Sequence, residues 1–145
     1  MNLRPAEVSV PVQPVSRFAE VLDAGDYARF RAAIDGAVDL LGGRVVWNVN
    51  STARGGGVAE MMGPLIGGAR DAGADARWLV VEGDAAFFRV TKRLHNMLHS
   101  EPGDGGELGA PERRDYERVL RDNAVELQAL VRPGDVVVLH DPQTA

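Results

Sequence analysis

The sequence contains no cysteine. Disulfide frameworks, thiolate metal sites and cysteine nucleophiles are therefore excluded, and a cytoplasmic location fits this composition. Lysine is nearly absent too, because Lys92 is the one lysine among the 16 cationic residues. The net charge of −5 gives no support to nucleic-acid binding, which usually requires a basic face.

Long apolar runs are also missing. The amino terminus, MNLRPAEVSVPVQPVSRF, has no basic segment followed by an apolar one, and no stretch approaches the length of a membrane span. The 145 residues are enough for one domain with a buried core. We therefore expect a soluble, uncleaved protein that binds neither nucleic acid nor membrane.

The stretch from Arg44 to Met62 organises the rest of the chain. Its apolar run, Val45 to Val49, has the β-branched and aromatic content of a buried strand. Turn-forming residues and the triplet Gly55, Gly56 and Gly57 follow, and apolar residues then recur every three or four positions from Val58. The predicted order of strand, glycine loop and helix places free N–H groups at the carboxyl edge of a strand, where phosphates and sugar hydroxyls commonly bind.

This glycine triplet has two interpretations. It matches neither the GxGxxG dinucleotide fingerprint nor the GxxxxGK[ST] phosphate loop, so neither mechanism applies directly. The glycines could simply permit a tight strand-to-helix turn. A ligand-binding loop is favoured, because a simple turn seldom needs three residues that each lose so much entropy on ordering.

The rest of the chain divides into an arm, a loop, helices and strands. Three prolines in residues 1–15 predict an extended arm, which adds an edge strand, lies along a neighbour or remains a weakly ordered tail. The glycine-rich segment 100–111 reads as a mobile surface loop. Apolar periodicity predicts helices over 16–22, 26–41, 58–72, 85–99 and 112–130, and strands over 77–81 and 136–139.

Three β-branched runs alternate with helical segments, which predicts parallel strands joined by right-handed crossovers. The fold class is therefore α/β. Because a doubly wound domain usually has five or six strands, residues 16–145 are expected to form an incomplete Rossmann-like parallel sheet with flanking helices.

Each predicted strand is followed by polar residues that can converge at one edge of the sheet. Glu82 follows the second strand, and His140, Asp141 and Gln143 follow the third. The alternatives are a solvated turn for Glu82, a helix-capping role for Asp141, and a loop carbonyl as the partner of His140.

The helical segment after the second strand carries Lys92 and His95, which face either a ligand or water. His95 and His99 are four residues apart, a spacing compatible with metal binding. No glutamate of an HExxH motif lies between them and no third ligand is evident, so we expect no metal site.

Three segments together resemble the amino-terminal part of the trehalose synthase family of retaining glycosyltransferases: VWNVNSTARGGGVAEMM, WLVVEGDAAFFRVTKRLHNMLH and RPGDVVVLHDPQTA. The resemblance implies the GT-B fold, in which two Rossmann-like domains face each other across a cleft. It implies transfer of glucose from a nucleotide-diphosphate glucose to glucose, giving trehalose. A related trehalose phosphorylase has similar motifs, and a non-catalytic sugar-binding or interaction module is a further alternative.

The resemblance also implies residue roles. Gly55, Gly56 and Gly57 would lie against the donor sugar and diphosphate, and His140 and Asp141 would hold hydroxyls of the acceptor or reacting sugar. The wall of the cleft would include Glu82, Lys92, His95 and Gln143. The nucleotide sugar is a substrate, and no cofactor or metal is implied. A carboxy-terminal domain would supply the nucleotide site, so the expected partners are such a domain or a second copy of the chain.

Overall fold

The computed structural model describes residues 4–141 and 143–144. Residues 1–3 of the predicted arm lie outside the described residues, as do Pro142 and Ala145 at the end of the sequence. The strands are β1 (Ala6–Glu7), β2 (Val46–Asn50), β3 (Ala76–Val80) and β4 (Val136–Leu139). A 3₁₀ helix (Val15–Glu20) precedes four α-helices, α1 (Ala24–Leu41), α2 (Gly57–Asp71), α3 (Ala85–Leu98) and α4 (Ala110–Leu130).

The four strands form one open sheet in the order β1-β3-β2-β4. β2 lies between β3 and β4 and is parallel to both, whereas β1 pairs antiparallel with β3. In this register Asn50 lies opposite Val80 on one side, and Val49 lies opposite Leu139 on the other. The carboxyl ends of the three parallel strands therefore share one edge of the sheet.

The sheet has an apolar core on each face. On one face, Met62 and Ile66 of α2 pack with Ala76 and Trp78. On the other face, Trp47, Val49 and Leu79 are buried beneath Leu127 and Val131, at the end of α4. Met62 and Leu79 are completely buried, and burial of one such side chain stabilises a fold by about 1.5–3 kcal/mol.

The amino-terminal arm crosses one side of this arrangement. After β1, the N–H of Val8 donates to the carbonyl of Trp78 at 2.9 Å, and the N–H of Gln13 donates to Gly67 at 3.0 Å. Val10 is buried. The arm therefore adds an edge strand, which is one of the outcomes predicted for it.

The α/β class and the incomplete Rossmann-like sheet with flanking helices are confirmed, with a mixed sheet because β1 joins it. The predicted helix over 16–22 is a 3₁₀ helix, Val15–Glu20. The segment 100–111 contacts α3, because the guanidinium of Arg93 binds Asp104 at 2.9 Å and the carbonyl of Glu107 at 3.0 Å. Among the described residues, no helix combines the length and apolar content that crossing a membrane requires.

Candidate functional site

The glycine loop leaves β2 at the carboxyl edge of the sheet and enters α2. Gly55 and Gly56 have φ of 75° and 83°, in the region that side chains rarely adopt, and all three glycines are exposed. A Cβ on any of them would meet nothing within 4 Å. Backbone N–H groups at the start of α2 therefore border open space, and together with the positive end of the helix dipole they suit an anionic or hydroxyl ligand.

Asn50 shapes the turn that leads into this loop. Its side chain is 1% exposed, accepts the indole N–H of Trp78 at 2.7 Å and donates to the carbonyl of Thr52 at 2.8 Å. The Thr52 hydroxyl then bonds both the N–H and the carbonyl of Arg54. Because Asn50 is satisfied within the protein, it acts as an anchor of the loop.

His140 follows β4 directly and is held by its neighbour β2. Its N–H donates to the carbonyl of Val49 at 2.9 Å, and its carbonyl accepts the Thr144 hydroxyl at 2.6 Å. Its ring nitrogen Nε2 lies 3.1 Å from Oδ1 of Asn48. The partner of the imidazole is thus a side-chain amide.

Asp141 and Gln143 complete this corner of the molecule. Asp141 is exposed, has φ of 68° and forms no ion pair with a described residue. A left-handed conformation is uncommon for a residue with a side chain, although aspartate tolerates it better than most. Gln143 is half-buried, and its oxygen Oε1 finds no hydrogen-bond partner among the described residues. The corner therefore presents the exposed carboxylate of Asp141 to a ligand, beside the buried oxygen of Gln143.

Glu82, at the end of β3, is clamped through its backbone by Asn123 of α4. Asn123 accepts the N–H of Glu82 at 3.0 Å and donates to its carbonyl at 2.8 Å. The exposed carboxylate of Glu82 accepts the N–H of Arg4 at 3.3 Å.

Asp84, two residues after Glu82, caps α3. Hydrogen bonds from the N–H of Phe87 and from the Arg118 guanidinium lower the pKa of Asp84 below its usual value.

Lys92 and His95 lie on α3, eight and eleven residues after its cap Asp84. Lys92 is exposed, and the half-buried His95 stacks its ring on that of His99 at 4.3 Å. Within the described chain, neither side chain forms a hydrogen bond or an ion pair with the glycine loop, Glu82 or His140, so their assignment to a cleft wall stays a prediction. No three potential metal-ligating side chains cluster in residues 4–141 and 143–144.

The structure therefore places the glycine loop, Glu82 and His140 with Asp141 at the carboxyl ends of three adjacent strands. Backbone N–H donors that follow the central strand β2, and an imidazole and a carboxylate that follow its neighbour β4, can hold a polyhydroxylated or phosphorylated ligand between them. Sequence reasoning missed the roles of Asn48, Asn50 and Asn123. Their signal was an amide placed within an otherwise apolar strand or helix stripe.

Comparison with known proteins identifies a family and several similar sequences. A family model described as the N-terminal domain of trehalose synthase matches residues 48–145. The trehalose synthase of Rubrobacter xylanophilus is 40% identical over 119 residues, which are 79% of this chain and 28% of that protein. The trehalose synthase of Thermococcus litoralis is 42% identical over 100 residues, which are 68% of this chain and 23% of that protein.

The region in common spans about a quarter of the length of these curated relatives. The match to the family model includes the end of β2, the glycine loop, β3, β4 and every candidate site residue. On the match to the family model, the chain belongs to the trehalose synthase N-terminal domain family.

Proposed function

We propose that this chain is the acceptor-side part of a retaining glucosyltransferase that transfers glucose from a nucleotide-diphosphate glucose to glucose, forming trehalose. The observation that carries the proposal is the adjacency of β2 and β4, which brings Gly55–Gly57 and His140 with Asp141 to one edge of the sheet. The name of the relatives supports trehalose as the product.

The two groups of residues have different roles in this proposal. The amides of Gly55, Gly56 and Gly57 lie against the donor's sugar and diphosphate, whose developing negative charge they stabilise as the glycosidic bond breaks. His140 and Asp141 accept hydrogen bonds from sugar hydroxyls and orient them for the transfer. The nucleotide sugar is a substrate, and no resident cofactor is invoked.

A second domain completes the cleft in this proposal and supplies the nucleotide site. The relatives' remaining length, about three quarters of each protein, is where we place that domain. A separate polypeptide or a second copy of this chain are the other possible sources. We place the reaction in the cytoplasm, where nucleotide sugars are made.

The test is a glucosyl-transfer assay with UDP-, ADP- and GDP-glucose and glucose. It is run on the full chain alone and on the chain mixed with the carboxy-terminal part of a related trehalose synthase. Trehalose formed by the mixture but by neither part alone is the expected result. If the mixture forms none while the chain still binds glucose, a non-catalytic sugar-binding module is the better description.

A pair of glycine variants tests the loop itself. Gly57 has an ordinary φ and open space around it, so Gly57→Ala should fold normally while its methyl group obstructs the ligand and lowers the transfer rate about tenfold, or about 1.4 kcal/mol. Gly56 requires φ of 83°, so Gly56→Ala should destabilise the fold by about 1–3 kcal/mol. Full activity in a well-folded Gly57→Ala variant would contradict the role of the loop.

A further inference from the structure

His140 has a polar neighbour, Asn48, whose amide nitrogen and amide oxygen both have hydrogen-bond partners. Asn48 lies in the middle of β2 and is 7% exposed. Its nitrogen Nδ2 donates to the carbonyl of Arg77 on β3 at 3.4 Å, so its oxygen Oδ1 is the atom that faces His140. The side chain therefore bridges from β3 across β2 to the residue that follows β4.

This orientation determines which ring nitrogen of His140 carries the proton. An amide oxygen only accepts hydrogen bonds, so the Nε2 atom 3.1 Å away must be the donor. In the neutral ring, Nδ1 then carries the lone pair. No described residue bonds to Nδ1, which leaves it as the acceptor that the ring offers to a ligand.

The backbone of His140 is restrained as firmly as its ring. The N–H is bonded to Val49, and the carbonyl is bonded to the Thr144 hydroxyl. With both backbone groups satisfied, the ring torsions are the remaining freedom, and the contact with Asn48 restrains them. A buried amide in this position determines both the orientation and the tautomer of the imidazole.

We propose that Asn48 is the positioning residue of His140: it holds the ring with Nε2 protonated, so that Nδ1 accepts a hydrogen bond from a sugar hydroxyl. The tautomer depends only on the protein, whereas the hydroxyl as the ligand group rests on the proposed function. Asn48 acts through His140 and needs no contact with the substrate.

The test of the tautomer is NMR of the full chain labelled with ¹⁵N in its histidines, at a pH above the usual histidine pKa. His99 is an internal reference, because its Nδ1 lies 2.8 Å from the carbonyl of His95 and must carry the proton there. We expect opposite tautomers for His140 and His99. We also expect a slowly exchanging Hε2 proton on His140, which is the decisive signal because a free imidazole already favours Nε2–H.

Two variants separate positioning from packing. Asn48→Leu removes the acceptor, so the Hε2 signal of His140 should disappear while His95 and His99 keep their signals. Asn48→Asp retains an acceptor and should retain the proton. A His140 Hε2 proton that is absent from the wild type, or that persists in Asn48→Leu, overturns the proposal, and Asn48→Asp decides the matter if Asn48→Leu fails to fold.

Sugar binding provides the second readout, by titration of the same labelled chain with glucose and trehalose. We expect Asn48→Leu to weaken binding about five- to tenfold and Asn48→Asp to restore it, as for the loss and return of one oriented hydrogen bond. If the wild type binds neither sugar while the tautomer result holds, the proposed function fails and the positioning of His140 stands. Equal sugar binding by wild type and Asn48→Leu, with the Hε2 proton lost, refutes the role of positioning in binding.

Discussion

The two edges of the sheet are finished in different ways. At one edge the arm covers β3, with β1 paired to it and Val10 buried against α2. At the other edge β4 pairs with β2 alone within the described residues, and Val137 and Leu139 are 37% and 50% exposed. An apolar strand with an unpaired edge is a template for another strand, so one edge is closed and the other is open to association.

A charged side chain stabilises each edge through hydrogen bonds, and the two side chains, Arg70 and Asp135, carry opposite charges. Arg70 donates to the carbonyls of Val10 and Ala76 at 2.9 and 2.7 Å and so joins the arm to β3. Asp135 accepts the N–H of Val45 at 3.0 Å and the indole N–H of Trp47 at 3.2 Å, and so joins the start of β4 to β2. A guanidinium keeps its charge at every practical pH, whereas a carboxylate does not.

The largest effect is expected from breaking β4 on its paired side. Val136 and His140 donate to β2, so alternation directs the N–H of Val138 to β2 and that of Val137 to the open edge. Val138→Pro should destabilise the protein by roughly 2–4 kcal/mol, because it removes a ladder bond and leaves an acceptor unsatisfied.

Its matched control is Val137→Pro, which removes an N–H from the open side and should cost less than about 1 kcal/mol. Urea unfolding followed by circular dichroism measures both variants. Equal losses of stability would show that the two sides of β4 are equivalent. Reduced self-association of Val137→Pro at high concentration, seen by light scattering, would identify the open edge as a contact between copies.

The second-largest effect is expected from acid, which protonates Asp135 and so weakens the contact between β4 and β2. Burial raises the pKa of Asp135, but the N–H groups of Arg132 and Val45, the Arg132 guanidinium and the Trp47 indole outweigh burial and hold that pKa well below its usual value. The resulting stabilisation is complete above the unfolded-state pKa of about 3.9 and is lost progressively as the pH falls from there through the lowered pKa of the folded state.

The melting temperature of Asp135→Asn should therefore lie below that of the wild type at pH 7, and the difference should shrink progressively as the pH falls below about 4. Asp35→Asn removes the same charge from an exposed site on α1 and should change the melting temperature little. A difference between wild type and Asp135→Asn that is constant with pH would contradict the assigned role. The contacts of Arg70 at the other edge should survive this titration.

The smallest effect is expected from loosening the covered edge. A Cβ on Gly67 of α2 would lie 2.6 Å from the carbonyl oxygen of Pro11, so Gly67→Ala should push the arm away at a net cost of roughly 1–2 kcal/mol. Gly36, within α1, has nothing within 4 Å of its Cβ position, and Gly36→Ala should be neutral or stabilising by up to about 1 kcal/mol.

Thermal melts and limited proteolysis of the arm distinguish these two glycine variants. The expected result is faster cleavage within residues 4–13 for Gly67→Ala alone. Unchanged cleavage in Gly67→Ala would mean that the arm accommodates the methyl group without leaving α2.

The sequence predicted those features that depend on neighbours along the chain. Strand β2, the glycine loop and α2 follow from the apolar run Val45–Val49, the glycine triplet and the helical spacing after Val58. The contacts that Arg93 of α3 makes with the segment 100–111 could not be predicted, because glycine content says nothing about a side chain from another element. Where the arm lies could not be decided either, since its pairing with β3 is a contact between distant parts of the chain.

The candidate site divides along the same line. The residues at strand ends could be selected because a parallel sheet places all carboxyl ends together. Asn48 and Asn123 could not be given roles, because each binds a residue far away along the chain. Asn123 binds Glu82, which is 41 positions away, and Asn48 binds His140, which is 92 positions away. Local patterns identify where a ligand site lies, whereas the amides that orient it emerge only from tertiary packing.

The two indoles give this molecule a pair of built-in optical probes. Trp78 donates to Asn50, beside the glycine loop, and Trp47 donates to Asp135, at the root of β4. Indole emission responds to the loss of such a partner. The Trp47→Phe variant retains Trp78 and therefore reports on changes at the glycine loop. The Trp78→Phe variant retains Trp47 and therefore reports on separation of β4 from β2 when Asp135 is protonated. Ligand arrival and strand release can thus be followed separately, without an attached dye.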